Sequence, residues 1–381
     1  MAKRVLLAMS GGVDSSVAAW LLLEGGYEVI GAFMRTGAAV EEPQACSVGA
    51  SSENLKLPVI MDRPARKQGC CSALDAHDAR RVADRLGIPF YALDFEPDFQ
   101  RIMDYFVREY RNGRTPNPCV MCNHWIKFGR LWDFARTVGA DYVATGHYAR
   151  IEYHPEDSAE PYWLMRGRDP SKDQSYVLFG LKRETLGRTL FPVGRYTKAE
   201  IREIAHKLGL PVASKPDSQE ICFVPDNDHM AFIRRYSPGV DTSGEIVDVE
   251  RGVVGHHDGY EQFTIGQRKG LGVALGGRRY VLEIDPATRR VIIGPREYLL
   301  RRRMSVTQLN WLTATGNLPE RCEVKIRYNH TPAGATLELR SDGEVLVEFD
   351  EPQAAVTPGQ AAVFYSGDRV LGGGIIRAAL D

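Results

Sequence analysis

Ser10-Gly11-Gly12-Val13-Asp14-Ser15-Ser16 decides how the rest of this chain folds. Just before it, Arg4-Val5-Leu6-Leu7-Ala8-Met9 is a short, nearly unbroken apolar run. Such a run predicts a strand buried on both faces, as in a parallel sheet. Just after it, Val17 to Leu23 predicts a helix that stops at Gly25-Gly26. A strand, a turn rich in Gly and Ser, and a helix start together predict an anion site. Gly11 and Gly12 let the main chain come close to a phosphate, and the unpaired N–H groups of the helix start, with the Ser hydroxyls, can bind it. No Gly-Lys-Ser/Thr follows and no G-x-G-x-x-G is present, so neither a Walker loop nor a dinucleotide fingerprint is written here.

The seven residues resemble the pyrophosphate loop of the ATP pyrophosphatases, which cleave ATP to AMP and pyrophosphate. The resemblance implies that the loop holds the departing pyrophosphate and that Asp14 lies near a magnesium ion. Two glycines alone would predict only a capping turn; the full heptapeptide at a strand-to-helix junction favours phosphate.

The totals set the frame. A chain of 381 residues predicts two or three domains with ample core. No run of about 18 apolar residues and no signal-peptide pattern occurs, so the expectation is a cytoplasmic protein without a membrane partner. The net charge of −1 gives no global argument for a nucleic-acid partner. Seven cysteines without a secretion signal argue against a disulfide framework and direct attention to reactive or metal-bound thiols.

Outward from the loop, Tyr27 to Met34 predicts a second strand whose carboxyl end places Met34 to touch an adenine, although a Met there is more often core. Residues 36–72 read as a long insertion carrying Cys46, Cys70 and Cys71. Leu74–Leu86 predicts a helix, Ile88–Phe95 a strand, and Asp98–Tyr110 an amphipathic helix. Pro116 and Pro118 predict a shaped, non-helical loop over 113–123, with Cys119 and Cys122 as C-x-x-C. Helix resumes over Trp125–Val138. The strand Asp141–Thr145 then delivers Gly146 and His147 to its carboxyl end, where ligands of doubly wound sheets lie. His154–Pro161 reads as a solvated loop, Lys172 to Tyr176 as the opening of a helical stretch, and Thr197 with Glu200 as the start of a helix. Alternating strands and helices predict an α/β, doubly wound parallel sheet.

Ser214 to Phe223 is a polar stretch with a lone thiol, Cys222, and Lys215 is expected to lower that thiol's pKa. An ATP-activating loop supplies an electrophile, and a nucleophile must then displace AMP. Ammonia would call for a glutaminase apparatus, which the sequence lacks. Sulfur would travel on one cysteine and be released by a second.

At this point the motifs in order resemble the bacterial tRNA-specific 2-thiouridylases of MnmA type. They are SGGVDSS, Gly31-Ala-Phe-Met34, Thr115-Pro-Asn-Pro118, Cys122-Asn, Ile126-Lys-Phe, Thr145-Gly-His-Tyr-Ala, Lys172-Asp-Gln-Ser-Tyr, Ser218-Gln-Glu-Ile-Cys222-Phe, Thr264-Ile-Gly-Gln-Arg-Lys-Gly270, Arg327-Tyr328 and Pro358-Gly-Gln360. The resemblance implies ATP-dependent 2-thiolation of the wobble uridine of tRNAs for Lys, Glu and Gln. ATP adenylates the uridine's carbon-2 oxygen. Cys222 matches the persulfide carrier and Cys122 the thiol that releases sulfur, leaving a Cys122–Cys222 disulfide. Ala8, Met9, Ser10, Gly11, Gly12, Val13, Asp14, Ser15, Met34 and Gly146 match ATP-binding positions. Asn117, Pro118 and Cys119 match the segment touching the target base. His147, Lys172, Asp173, Gln174, Arg327, Tyr328 and Gln360 match tRNA contacts. The implied partners are tRNA and a sulfur donor, a cysteine desulfurase or a sulfur-relay protein.

Two departures stand out. The family usually carries Asp where this chain has Cys119, which leaves Cys119, Cys122 and Cys222 as a trio able to ligate an iron–sulfur cluster. A cluster-dependent thiolation is therefore a second reading. The acidic and aromatic stretch usual after Met34 is replaced by the insertion. Rivals of other classes are an ammonia-dependent amidating ligase and a non-catalytic RNA-binding protein.

Residues 278–303 hold eight Arg against three acids, a local excess that favours a polyanion. Beyond them Val324, Ile326 and Tyr328 alternate with charged residues, and Asp342-Gly343 signals a hairpin, so a small antiparallel barrel or sandwich is expected. The expected division is a catalytic domain over 1–215, a β-rich central domain over 216–282 and a C-terminal, tRNA-binding β-barrel over 283–381.

Overall fold

The computed structural model describes residues 2–37, 73–217, 221–224 and 228–381; Cys46, Cys70 and Cys71 of the insertion lie outside them. The apolar run before the glycines forms β1 (Arg4–Ala8), fully buried from Val5 to Leu7. It leads into α1 (Val13–Glu24), β2 (Glu28–Arg35), α2 (Ala73–Leu86), β3 (Phe90–Asp94) and α3 (Glu96–Arg111). With β4 (Tyr142–Thr145) and β7 (Thr189–Leu190) the strands form a parallel sheet in the order β3-β2-β1-β4-β7. The order reverses beside β1, so the crevice at its carboxyl end opens on the Gly-Gly turn. Helices cover both faces, and two apolar clusters fill the space on either side.

Prolines do not keep 113–123 free of helix. Pro118 is the first residue of α4 (Pro118–Met121), where its missing N–H costs nothing, and the Asn117 carboxamide caps the turn by accepting from Val120 N at 3.3 Å. The chain continues as a π-helix over Cys122–Arg130 and as α5 (Leu131–Thr137). Both cysteines of the C-x-x-C pair therefore lie on one helical path rather than in a loop.

The hairpin of β5 (Ala149–Tyr153) and β6 (Tyr162–Arg166) leaves the parallel sheet behind. After α6 (Lys198–Lys207) and α7 (His229–Tyr236), a separate four-stranded sheet contains β8 (Gly244–Asp248), β9 (Gly252–His257), β10 (Tyr280–Asp285) and β11 (Arg290–Gly294). Strand β10 crosses the expected boundary at 282/283 because its antiparallel partner, β11, completes this sheet.

The C-terminal barrel comprises β12 (Leu300–Trp311), β13 (Arg321–Lys325), β14 (Ala333–Leu339), β15 (Val345–Ala354), β16 (Ala361–Ser366) and β17 (Arg369–Leu380), closed by β12 against β17. The Asp342-Gly343 turn pairs Leu339 with Val345, and Gly343 has φ +83°. Strand β6 joins the barrel through Arg369 and Met165, so the hairpin and barrel share one sheet.

The loop over 154–161 is not simply solvated. The Glu160 carboxylate is 2 % exposed and pairs with Arg369 at 2.7 Å and Arg183 at 3.4 Å, while accepting from Ala314 N. The basic stretch at 278–303 is also largely neutralised by acids from elsewhere. Arg279 pairs with Asp248 and Glu250, Arg289 with Asp241, Arg290 with Glu245, and Arg302 with Glu348.

Removing one partner of a buried charge pair strands the other, so Glu160→Gln is expected to destabilise the fold by about 3 kcal/mol. Urea unfolding followed by Trp fluorescence reads this; an unchanged midpoint would show that the pairs to Arg369 and Arg183 hold nothing together.

Candidate active site

The turn after β1 is shaped by one close approach. Gly11 has φ +72°, and a Cβ there would sit 2.2 Å from the Asp75 carbonyl oxygen, so only glycine passes. Gly12 then caps α1 from an extended conformation without a side chain, leaving the first N–H groups of the helix to other partners. Ser15 Oγ accepts from Ser10 N at 3.2 Å, and Ser16 Oγ donates to Gly12 O at 2.8 Å. Gly146, at the end of β4, packs so tightly that a Cβ would lie 2.7 Å from Ser15 N. Ala8, Met9, Val13 and Ser15 are buried, Gly12, Asp14 and Met34 half-buried, and Ser10 exposed. The structure thus brings the sequence-predicted loop residues and Gly146 to one place, at the carboxyl ends of adjacent strands.

Beside the loop lies an ion cluster that local reading missed. The Lys198 ammonium donates to both Asp14 oxygens at 2.7 and 2.8 Å and pairs with Asp217 at 2.8 Å. Tyr148 donates its hydroxyl to Asp14 Oδ1 at 2.7 Å. Burial raises the Tyr148 pKa and the Asp14 charge raises it further, so the phenol keeps its proton. Lys172 and Arg202 also hold Asp217, at 2.8 and 2.9 Å. Burial alone would raise the Asp217 pKa, but hydrogen bonds from Lys172 and Lys198 and their charges outweigh it and hold it at about 2.

Lys215 grips the glycine turn from its other side. Its three N–H donors go to Gly11 O at 3.0 Å and to Asp75 and Asp78 at 2.7 Å each, which ties the turn to α2.

The cysteine segment and the barrel meet directly. Thr115 N donates to Pro358 O at 2.9 Å, and Gln360 Nε2 donates to Thr115 O and Pro116 O at 3.2 Å each. Gly359 has φ +92°, with the Thr115 carbonyl oxygen 2.8 Å from where a Cβ would be. Tyr176 donates its hydroxyl to Ala361 O at 2.9 Å. Cys119 is exposed, Cys122 and Cys222 are half-buried, and the latter two pack against the same apolar cluster. Among the described residues no three His, Cys, Asp or Glu side chains are arranged to hold a metal ion.

The residues expected to meet tRNA divide into two groups. Tyr328 is 42 % exposed, and Lys325 lies over its ring, 5.6 Å from the centroid. Arg327 is exposed. Near them a cleft of about 1020 Å³ is lined by Arg150, Arg166, Arg168 and Lys325 together with Glu152, Asp173 and Asp368. By contrast Asp173 accepts from Gly167 N, Ser175 N and Ser175 Oγ, and Gln174 accepts from Tyr148 N at 2.9 Å. Lys172 is tied to Asp217, and Gln360 to the 115–116 carbonyls. His147 is only 8 % exposed, shares a 2.6 Å hydrogen bond with Thr145 and lies between Phe128 and Phe191. In this conformation its ring offers RNA no accessible face.

The sequence model for the family described as "tRNA methyl transferase HUP domain" matches residues 3–226. Those for its "PRC-barrel domain" and for an "Aminomethyltransferase beta-barrel domain" match 230–295 and 301–376. The tRNA-specific 2-thiouridylase MnmA of Rhodopirellula baltica is 53 % identical over 99 % of this chain and 97 % of its own length. The chain belongs to the MnmA family. The MnmA proteins of Carboxydothermus hydrogenoformans and Geobacter metallireducens are 49 % and 48 % identical, each across 99 % of this chain and 98 % of their own. Similarity to MnmA thus runs through the loop, the central sheet and the barrel alike.

Burial, with a smaller effect of Lys127, lowers the His147 pKa well below its ordinary 6.5. Below pH 6.5 the unfolded chain gains a proton that the folded chain refuses, so stability is lost as the pH falls. Thermal unfolding should show the wild type losing about 2 kcal/mol more than His147→Gln between pH 7 and 5. Parallel pH profiles would show instead that the buried ring titrates normally.

Proposed function

We propose that this chain catalyses ATP-dependent 2-thiolation of the wobble uridine of tRNAs for Lys, Glu and Gln. The observation that carries the reading is the Gly11–Ser16 turn at the sheet's switch point, in a chain about half identical to MnmA proteins along its whole length. The turn and helix start bind the phosphates of ATP, and Met34 and Gly146 border the nucleoside. Attack of the uridine carbon-2 oxygen on the α-phosphorus forms the adenylate and releases pyrophosphate. Magnesium is ordinarily held by one or two carboxylates plus substrate phosphates, which suits Asp14 at the helix start, and it would offset phosphate charge there.

Sulfur then arrives as a persulfide on Cys222, made by a cysteine desulfurase or a sulfur-relay protein. Its terminal sulfur bonds to carbon 2 and AMP leaves with the former carbon-2 oxygen. The Cys122 thiolate attacks the Cys222 sulfur, breaking the S–S bond to the transferred atom and leaving a Cys122–Cys222 disulfide. A cellular dithiol must reduce that disulfide before the next turnover. The shared apolar cluster behind both cysteines supports this pairing. Asn117, Pro118 and Cys119 face the target base, and Arg327, Tyr328 and the cationic side chains of the nearby cleft take the tRNA backbone. On this reading residues 1–215 perform the chemistry together with Cys222 from the segment that follows, and the rest of 216–282 and 283–381 orient the RNA.

The test is nucleoside mass spectrometry of tRNA from cells lacking their own 2-thiouridylase. The wild-type chain should restore 2-thiouridine, whereas Asp14→Ala, Cys122→Ser and Cys222→Ser should leave it at background. Cys119→Ser should retain most of it. Full thiolation by Cys222→Ser would overturn the persulfide route, and full thiolation by Asp14→Ala would overturn the role of the loop.

A further inference from the structure

We infer that Lys198 is the cation that binds the pyrophosphate portion of ATP, parked on Asp14 until the nucleotide arrives. The inference rests on the ATP reading above and names a residue far from the glycine turn in sequence. Lys198 opens α6 immediately after Thr197, whose capping box with Glu200 fixes where the helix begins. That start aims a long side chain, 11 % exposed, at the first turn of α1. An ammonium so far from water is retained only where anions meet it.

Charge and position both point to a phosphate. Lys198, Lys172 and Arg202 converge on Asp14 and Asp217, with the Asp169 carboxylate accepting from Lys198 N at 3.0 Å beside them. The Lys198 ammonium lies beside the N-terminus of α1, which itself favours an anion. Asp217 has two other cationic partners, Lys172 and Arg202, and stays paired when Lys198 turns away. Asp14 keeps the Tyr148 hydroxyl. Lys198 can therefore exchange carboxylate oxygens for phosphate oxygens without leaving either carboxylate bare. In the adenylation step, negative charge builds on the pyrophosphate as the bond between the α-phosphorus and the bridging oxygen breaks, and a fixed ammonium there stabilises the leaving group.

The experiment measures binding of inorganic pyrophosphate, ATP and AMP to the full chain by isothermal titration calorimetry. Lys198→Met should weaken pyrophosphate and ATP by about 30-fold or more, the scale of losing one partner of a desolvated charge pair, and leave AMP within twofold. Equal loss of all three ligands, or of none, would overturn the assignment. The double variant Lys198→Met/Asp217→Asn restores the cluster's charge balance and guards against misfolding of the single variant. It should bind pyrophosphate as weakly as the single variant; recovered affinity would mean that net charge, not this ammonium, matters. A wild-type chain that binds neither ATP nor pyrophosphate would instead refute the ATP reading itself.

Discussion

The ammonium of Lys198, held between Asp14 and Asp217, is the interaction on which the catalytic half depends. Asp14 sits in the first turn of α1, Tyr148 follows β4, Lys198 opens α6, and Asp217 lies beyond that helix. Segments spanning some two hundred positions converge because each charge requires an opposite one once water is excluded. Lys215 repeats the logic on the other side of the turn, binding the Gly11 carbonyl together with two carboxylates. The glycine turn is thus gripped from both flanks, and its geometry belongs to the fold rather than to the turn alone.

A second constraint joins the barrel to the catalytic half. Gly359 and Gln360 seat the barrel on the main chain of Thr115 and Pro116, immediately before the helical turn that carries Cys119 and Cys122. The β5–β6 hairpin, which begins four residues after β4, is hydrogen-bonded into the barrel sheet. Glu160, in the turn of that hairpin, reaches Arg369 at the start of β17. The barrel is consequently held against the main chain that leads into the cysteine helix.

What was legible in the sequence is what depends on neighbours in the chain. The apolar run of β1, the glycine turn, the Thr197–Glu200 capping box and the Asp342-Gly343 hairpin each follow from local patterns, and the structure has all four. The helix at Pro118 was misread because a proline forbids only the helix interior; Asn117 before it was the signal that it starts a helix. Lys198, Tyr148 and Asp217 carried no local signal, since an ion pair between positions 14 and 198 has no periodicity to betray it. The same non-locality joined Lys215 to Asp75 and Asp78, and matched the arginines of 278–303 to acids as distant as Asp241 and Glu348.

The central claim is that the Gly11–Ser16 turn directs cleavage between the α- and β-phosphates of ATP in order to thiolate tRNA. The most direct measurement follows γ-labelled ATP, with unmodified tRNA and a persulfide donor, and counts phosphorus products and 2-thiouridine in the same reaction. The account predicts label in pyrophosphate, with one AMP for each thiolated uridine. Label in orthophosphate alongside ADP, or thiolation without AMP, would contradict it.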